Sequence, residues 1–237
     1  MANAKRPPLM GSKIARRTLE GRQEREFHRL FELMDTIDRH YEALDTLHKT
    51  PNPNLTKEAS AARYGEQYRK AHKMLGNMSV ELSNDLASLE SRLKSEAETK
   101  AGLNKPMTEA AQQEIRAALR SMPQKERDKT LREAALNGDV GILKSVREAS
   151  TPFLYGGTSE PVESLIQQHM ERAVPNLRSD LEAIEHANSH LKMSVDGFVR
   201  ETEKMRDPIL ESSAEAQQES IRQAEAVLSQ GVQSNGD

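Results

Sequence analysis

The feature that most limits what this chain can fold into is a set of apolar stripes that recur at alternating three- and four-residue steps. Phe27, Leu30, Met34, Ile37, Tyr41 and Leu44 form one, and Leu177, Leu181, Ile184, Leu191, Val195, Phe198 and Met205 form another. Such steps follow one side of a helix with 3.6 residues per turn, so each stripe demands a partner helix, from this chain or from another copy. Composition narrows the answer further. Only 35% of the 237 residues are hydrophobic and none is Trp, which argues against a large compact core, while the 30% of charged residues suits helices with one apolar seam and solvated faces elsewhere. The expected fold is all-α: an elongated antiparallel helical hairpin plus long coiled-coil helices with a small central helical knob.

Punctuation along the chain divides it. Residues 1–15 set Pro7, Pro8 and Gly11 among cations and read as a flexible basic arm. A long αα-hairpin is expected over 16–100, its first helix over 16–49, its turn at Pro51 and Pro53, and its second helix capped by Thr56 and continuing to Lys100. With the turn centred at Asn52 and Pro53, Tyr41 faces Tyr64, Ile37 faces Tyr68, Met34 faces Ala71 and Phe27 faces Met78. Gly102, Asn104 and Pro106 then interrupt the pattern. Residues 107–158 read as a module of short helices over 108–121, 123–137 and 139–149, with Gly138 as a C-cap and Asp139 as the next N-cap. Leu131, Leu136, Ile142, Leu143, Val146, Phe153 and Leu154 are its expected core, closed by a turn that gathers Phe153, Leu154 and Tyr155. Residues 159–230 read as long C-terminal coiled-coil helices, kinked at Pro175 and restarted at Asp207-Pro208 with the stripe Leu210, Ala214, Ile221, Ala224 and Leu228. Residues 231–237 read as a disordered tail. No repeat of 20 to 50 residues is visible, which disfavours a solenoid.

The narrowest seam lies between residues 177 and 206. Placing Leu181 at heptad position a puts Ile184 at d, Asn188 at a, Leu191 at d, Val195 at a, Phe198 at d, Thr202 at a and Met205 at d, with polar flanks. A seam that narrow favours a coiled coil between chains, with Asn188 able to fix its register. Leu181, Ile184, Asn188, Leu191, Val195, Phe198 and Met205 are therefore the expected self-association residues. Glu182, His186 and His190 share helical spacing, but they fall at the outward heptad positions and lack the H-E-x-x-H pattern, so they read as a solvated face rather than a metal site. His169, inside the stripe of Val162, Ile166 and Ala173, reads as a packed residue. Tyr155-Gly156-Gly157-Thr158-Ser159 precedes a helix without the Lys of a phosphate loop, and reads as a turn and cap.

No catalytic constellation, cofactor motif or metal-ligand spacing is present, and with no Cys there is neither a disulfide nor a thiolate site. Leu9 and Met10 stand alone in the basic start, so no secretory leader is read there, and no stretch approaches the roughly 20 apolar residues of a membrane span. A cytoplasmic protein is expected. The net charge of -3 hides an uneven distribution, basic at the start and acidic beyond residue 200. Lys5, Arg6, Lys13, Arg16 and Arg17 are the candidate contacts to nucleic acid or to an acidic partner. No aromatic is interleaved with them, which disfavours base stacking.

Met122-Pro123-Gln124-Lys125-Glu126-Arg127, followed by Ala134-Ala135-Leu136-Asn137-Gly138-Asp139 and Thr151-Pro152-Phe153-Leu154, resembles a pattern in uncharacterised helical proteins of tailed phages and prophages. The resemblance covers residues 108–158 and carries no catalytic signature. It implies a virion context, in which a helical scaffolding or internal head protein meets other virion proteins and itself. Scaffolding proteins often end in a basic coat-binding helix, and this chain ends acidic. The expectation is a non-enzymatic, self-associating structural protein. The alternatives are a nucleic-acid-associated regulator using the basic arm and an inhibitor that binds a host factor through a helix face.

Overall fold

The structure, a computed structural model, describes residues 15–232, and its regular secondary structure there is entirely helical. The chain is all-α, as its periodicity requires. In order it forms α1 (Arg25–Lys49), α2 (Lys57–Lys100), α3 (Glu109–Ser121), α4 (Gln124–Asn137), α5 (Val140–Arg147), a 3₁₀ turn (Pro152–Leu154), α6 (Val162–Ala173), α7 (Leu177–Glu203) and α8 (Pro208–Val232). Lys5, Arg6 and Lys13 of the basic arm, and the tail beyond residue 232, lie outside the described residues.

The chain separates into two compact units. Among the described residues, unit 1 comprises 15–86 and 186–232, and unit 2 comprises 87–185, so α2 and α7 each contribute to both. Unit 2 takes in more than the segment 107–158, because the end of α2, the whole of α6 and the start of α7 share its core.

In unit 1, α1 and α2 form the antiparallel hairpin. Phe27, Leu30, Leu33, Met34, Ile37 and Leu44 are buried on α1, and Tyr64, Tyr68, Leu75, Leu82 and Leu86 on α2. The register differs from the expected one. The His48 and Tyr64 rings lie 6.0 Å apart, edge to face, and Arg29 is ion-paired with both Glu81 and Asp85. The midpoints of these pairs fall at residues 55 to 57 rather than at 52 and 53, so a given α1 residue meets α2 about one heptad later than expected. A heptad shift returns the same stripe to the same face, which is why the pattern alone could not separate the two registers.

The first helix also starts later than expected. Residues 15–18 form a helical turn, the chain leaves it through Gly21 at φ 84°, and α1 begins only at Arg25. Gly is the residue that takes this left-handed conformation without a Cβ penalty, and here it breaks what composition alone would continue. Ala15 and Leu19 are nonetheless fully buried, so the segment is tied to the unit.

Unit 2 packs α3 to α6 around Leu119, Leu131, Leu143, Val146, Leu165 and Ile166. Its caps follow the sequence signals. The end of α2 is a Schellman turn in which Leu103 N–H donates to Glu98 O, Gly102 N–H donates to Thr99 O, and Gly102 sits at φ 76°. Thr108 Oγ accepts from Ala111 N–H at 3.3 Å, Gly138 at φ 78° closes α4, and Asp139 Oδ1 accepts from Ile142 N–H at 3.2 Å to open α5. Two members of the expected core are outside it: Leu136 is 52% exposed and Phe153 is 77% exposed. Leu154 is half-buried, so of the three apolar residues in that turn only Tyr155 is fully enclosed. Pro175 ends a helix rather than kinking one, since α6 stops at Ala173 and α7 starts at Leu177.

Candidate functional site

Buried polar chemistry in unit 1 concentrates where α7 turns into α8. Asp207 Oδ1 accepts from Leu210 N–H at 3.1 Å and Pro208 occupies the first helical position, so this dipeptide fixes where α8 starts. One turn later Glu211 faces α2 and is only 3% exposed. Room for its carboxylate exists because residue 65 is Gly: a Cβ there would lie 2.3 Å from Glu211 Oε2. Arg206 grips the carboxylate in a fork, Nε donating to Oε1 at 3.0 Å and Nη2 to Oε2 at 2.8 Å, while Arg69 Nη1 donates to Oε2 at 3.3 Å. Arg69 also reaches Glu215 one turn on.

The rest of the cluster backs this fork. The Arg206 guanidinium lies over the Tyr68 ring, 4.8 Å from its centroid, and its bond to Glu211 holds its proton more firmly than in free arginine. Tyr68 Oη donates to Glu203 Oε2 at 2.8 Å and Tyr64 Oη donates to Thr202 O at 3.0 Å. Burial pushes both phenols above their ordinary range, and the Glu203 bond adds to the effect at Tyr68. Such a cluster fastens the start of α8 to α2.

Beside the clamp, a groove of about 590 Å³ opens between the α1–α2 connection and the α7–α8 corner. Leu47, Pro51, Leu55, Tyr64, Met205 and Leu210 supply its apolar wall, Lys57 and Asp207 supply its charge, and His48 also lines it. Beyond the clamp, α8 gives up its contacts. Ala214 is buried, but Ile221, Val227 and Leu228 are 57%, 69% and 73% exposed.

A third feature lies against the segment 15–22. His190, 5% exposed, pairs through Nε2 with Thr18 Oγ at 3.0 Å, whereas its Nδ1 and the neighbouring Ser194 Oγ are buried without a partner. Burial, helped by the His186 ring stacked 6.4 Å away, lowers the His190 pKa. His190 thus departs from the expected solvated face, although Glu182 and His186 are exposed there and Glu182 pairs with Arg178 at 2.9 Å. Among the described residues no group of three or more His, Asp or Glu is placed to hold a metal ion.

The expected self-association seam is already occupied within one chain. Ile184, Leu191 and Phe198 are 1%, 3% and 1% exposed, and Thr202 turns its hydroxyl to Phe198 O at 2.6 Å. Leu181, Asn188, Val195 and Met205 are half-buried. This corrects the reading of the seam as a free surface. The packed face includes Ala183, Ala187 and Ser194, small residues that let neighbouring helices come close and that a stripe of large side chains overlooks. Of the basic residues, Arg16 is committed to Asp35 at 2.6 Å and lies over the Phe31 ring at 5.2 Å, and Arg17 is exposed.

In unit 2, Arg127 and Asp128 are both directed to one loop, whereas Arg116, 6% exposed, donates to Ser145 O at 2.7 Å. Arg127, 7% exposed, donates through Nε to Gly157 O at 2.7 Å and through Nη1 to Leu119 O and Met122 O. Asp128 accepts from Thr158 Oγ at 3.0 Å, Ser159 N–H at 3.1 Å and Ser159 Oγ at 2.6 Å, and the Ser159 bonds hold its carboxyl below the usual range. The donors of the Gly156–Gly157 turn region therefore meet the chain's own carboxylate, in keeping with a turn and cap. His169 is packed, its Nε2 3.0 Å from Ala101 O.

No helix among the described residues is long and apolar enough to cross a membrane. Comparison with protein-family models, with curated proteins and with solved structures finds no match for this chain.

Proposed function

We propose that this is a non-enzymatic helical protein that acts by assembling with copies of itself. The observation that carries the reading is α8, anchored at its base through Glu211 and then left with Ile221, Val227 and Leu228 in water. A half-helix of this kind is weakly stable on propensity alone and gains its order from a partner that covers the stripe. The clamps in both units support the same reading, because their charged groups are consumed in fastening helices. A place in virion assembly, as scaffold or internal head protein, is the context that the resemblance of residues 108–158 implies.

The nucleic-acid reading is weakened by Arg16, whose charge is taken up by Asp35. Arg17, the other described candidate, is exposed.

Absolute mass by light scattering on a sizing column, over a range of protein concentrations, tests the proposal. A mass above that of one 26.6 kDa chain, rising with concentration, is the expected result. A single-chain mass throughout would overturn it.

A further inference from the structure

We infer that the distal half of α8 from one copy docks, as a helix, into the groove between the α1–α2 connection and the α7–α8 corner of a second copy. The inference rests on the self-assembly reading above and names the surface that receives the stripe.

The donor has the form of a groove-binding helix. Ile221, Ala224 and Leu228 fall at i, i+3 and i+7, with Val227 beside them, which is the spacing of side chains that anchor an amphipathic helix in an apolar cleft. The receptor matches in size and character. A groove of about 590 Å³ walled by Leu47, Leu55, Met205 and Leu210 can enclose a few aliphatic side chains.

Helix geometry excludes α8 of the same chain as the donor. Leu210 lines the groove at the start of α8, and a rise of 1.5 Å per residue places Ile221 and Leu228 roughly 17 Å and 27 Å farther along the same helix axis. The stripe therefore cannot enter the groove of its own chain without breaking a helix whose base is clamped.

Charge favours the same match. The distal half carries Glu219 and Glu225 against Arg222, while the groove presents the Lys57 ammonium. Reciprocal docking of two copies closes a dimer, whereas one-way docking propagates into a chain of molecules, so one contact serves both a closed and an open assembly.

The experiment uses the full chain and two kinds of variant. The tail variant carries Ile221→Glu and Leu228→Glu. The groove variant carries Ala61→Arg, which fills the cleft from α2. Leu55→Asp, on the connection between helices, repeats the block without altering a helix. Masses are read by light scattering at one concentration, with circular dichroism to confirm helix content. The expected result is that the tail variant and each groove variant fall to single-chain mass, and that an equimolar mixture of tail and groove variants returns to the mass of two chains, because one intact groove then meets one intact tail.

Groove variants that keep the wild-type mass while the tail variant dissociates would overturn the inference in favour of α8 pairing with α8. Failure of the mixture to recover mass would overturn it as well. A wild-type oligomer unaffected by the tail substitutions would refute this docking and leave the self-assembly reading standing; a wild-type monomer would remove both.

Discussion

Gly65→Ala sets two effects of known sign against each other at one helix position. Gly65 lies inside α2, where replacing Gly by Ala ordinarily stabilises by about 1 kcal/mol through helix propensity. Here the added Cβ would lie 2.3 Å from Glu211 Oε2 and 2.4 Å from its Cδ, so the carboxylate has to leave. Leaving breaks the fork from Arg206 and the bond from Arg69, around a side chain that is only 4% exposed. Breaking a buried pair outright costs about 3–5 kcal/mol. The displaced carboxylate recovers part of this in water, as does Arg206, whose side chain is 20% exposed. With the propensity gain deducted, the expected net loss is roughly 2 kcal/mol.

Urea unfolding followed by near-ultraviolet circular dichroism reads this directly, because Tyr41, Tyr64 and Tyr68 belong to unit 1 and Tyr155 to unit 2. The control is the same substitution in a Glu211→Ala background. With no carboxylate to displace, Gly65→Ala should there stabilise by about 1 kcal/mol, giving a coupling of about 3 kcal/mol between the two sites. A gain in stability from Gly65→Ala in the wild-type background would refute the reasoning, since it would mean that the clamp contributes less than helix propensity does.

Phe198→Ala, at a side chain 1% exposed, should lower the stability of unit 1 by about 3–5 kcal/mol in the same unfolding assay. Loss of oligomer mass with stability unchanged would instead restore Phe198 to a surface between chains. Because burial holds the His190 pKa below its ordinary 6.5, the unfolded chain binds that proton more readily than the folded one, so the contribution of this group to stability is present above pH 6.5 and is lost as pH falls through the folded value. Unfolding midpoints on either side of that pH should differ more for the wild type than for His190→Asn, and an equal pH dependence in both would remove His190 as the cause.

Much of the fold could be read from local patterns because local physics sets it. Thr56, Thr108, Gly138, Asp139 and Asp207 cap where their hydrogen-bonding and backbone preferences place them, and Phe27 to Leu44 mark the buried side of α1. What was not legible is set by distance or by small size. Gly65 and Glu211 are far apart in the chain, and nothing near either announces the other. The packed side of α7 follows Ala183, Ala187, His190 and Ser194 as much as its large apolar residues, so close approach of the backbones, rather than hydropathy, turns His190 inward. Phe153 misled for the opposite reason. The loop that follows it is held by the polar bonds of Arg127 and Asp128, and does not need its ring to close.

Because unit 2 lies between the two stretches that compose unit 1, the order of synthesis matters. Leu30, Met34, Leu75 and Leu82 leave the ribosome well before Leu191 and Phe198, the α7 residues that share their unit. About 100 residues at 5–20 residues per second leave the hairpin half covered for roughly 5–20 s, while unit 2 has every residue it needs by Glu185. The nascent chain thus passes through a stage in which its middle can be finished and its opening hairpin still presents bare leucines, the interval in which a chaperone or a neighbouring nascent chain would find them.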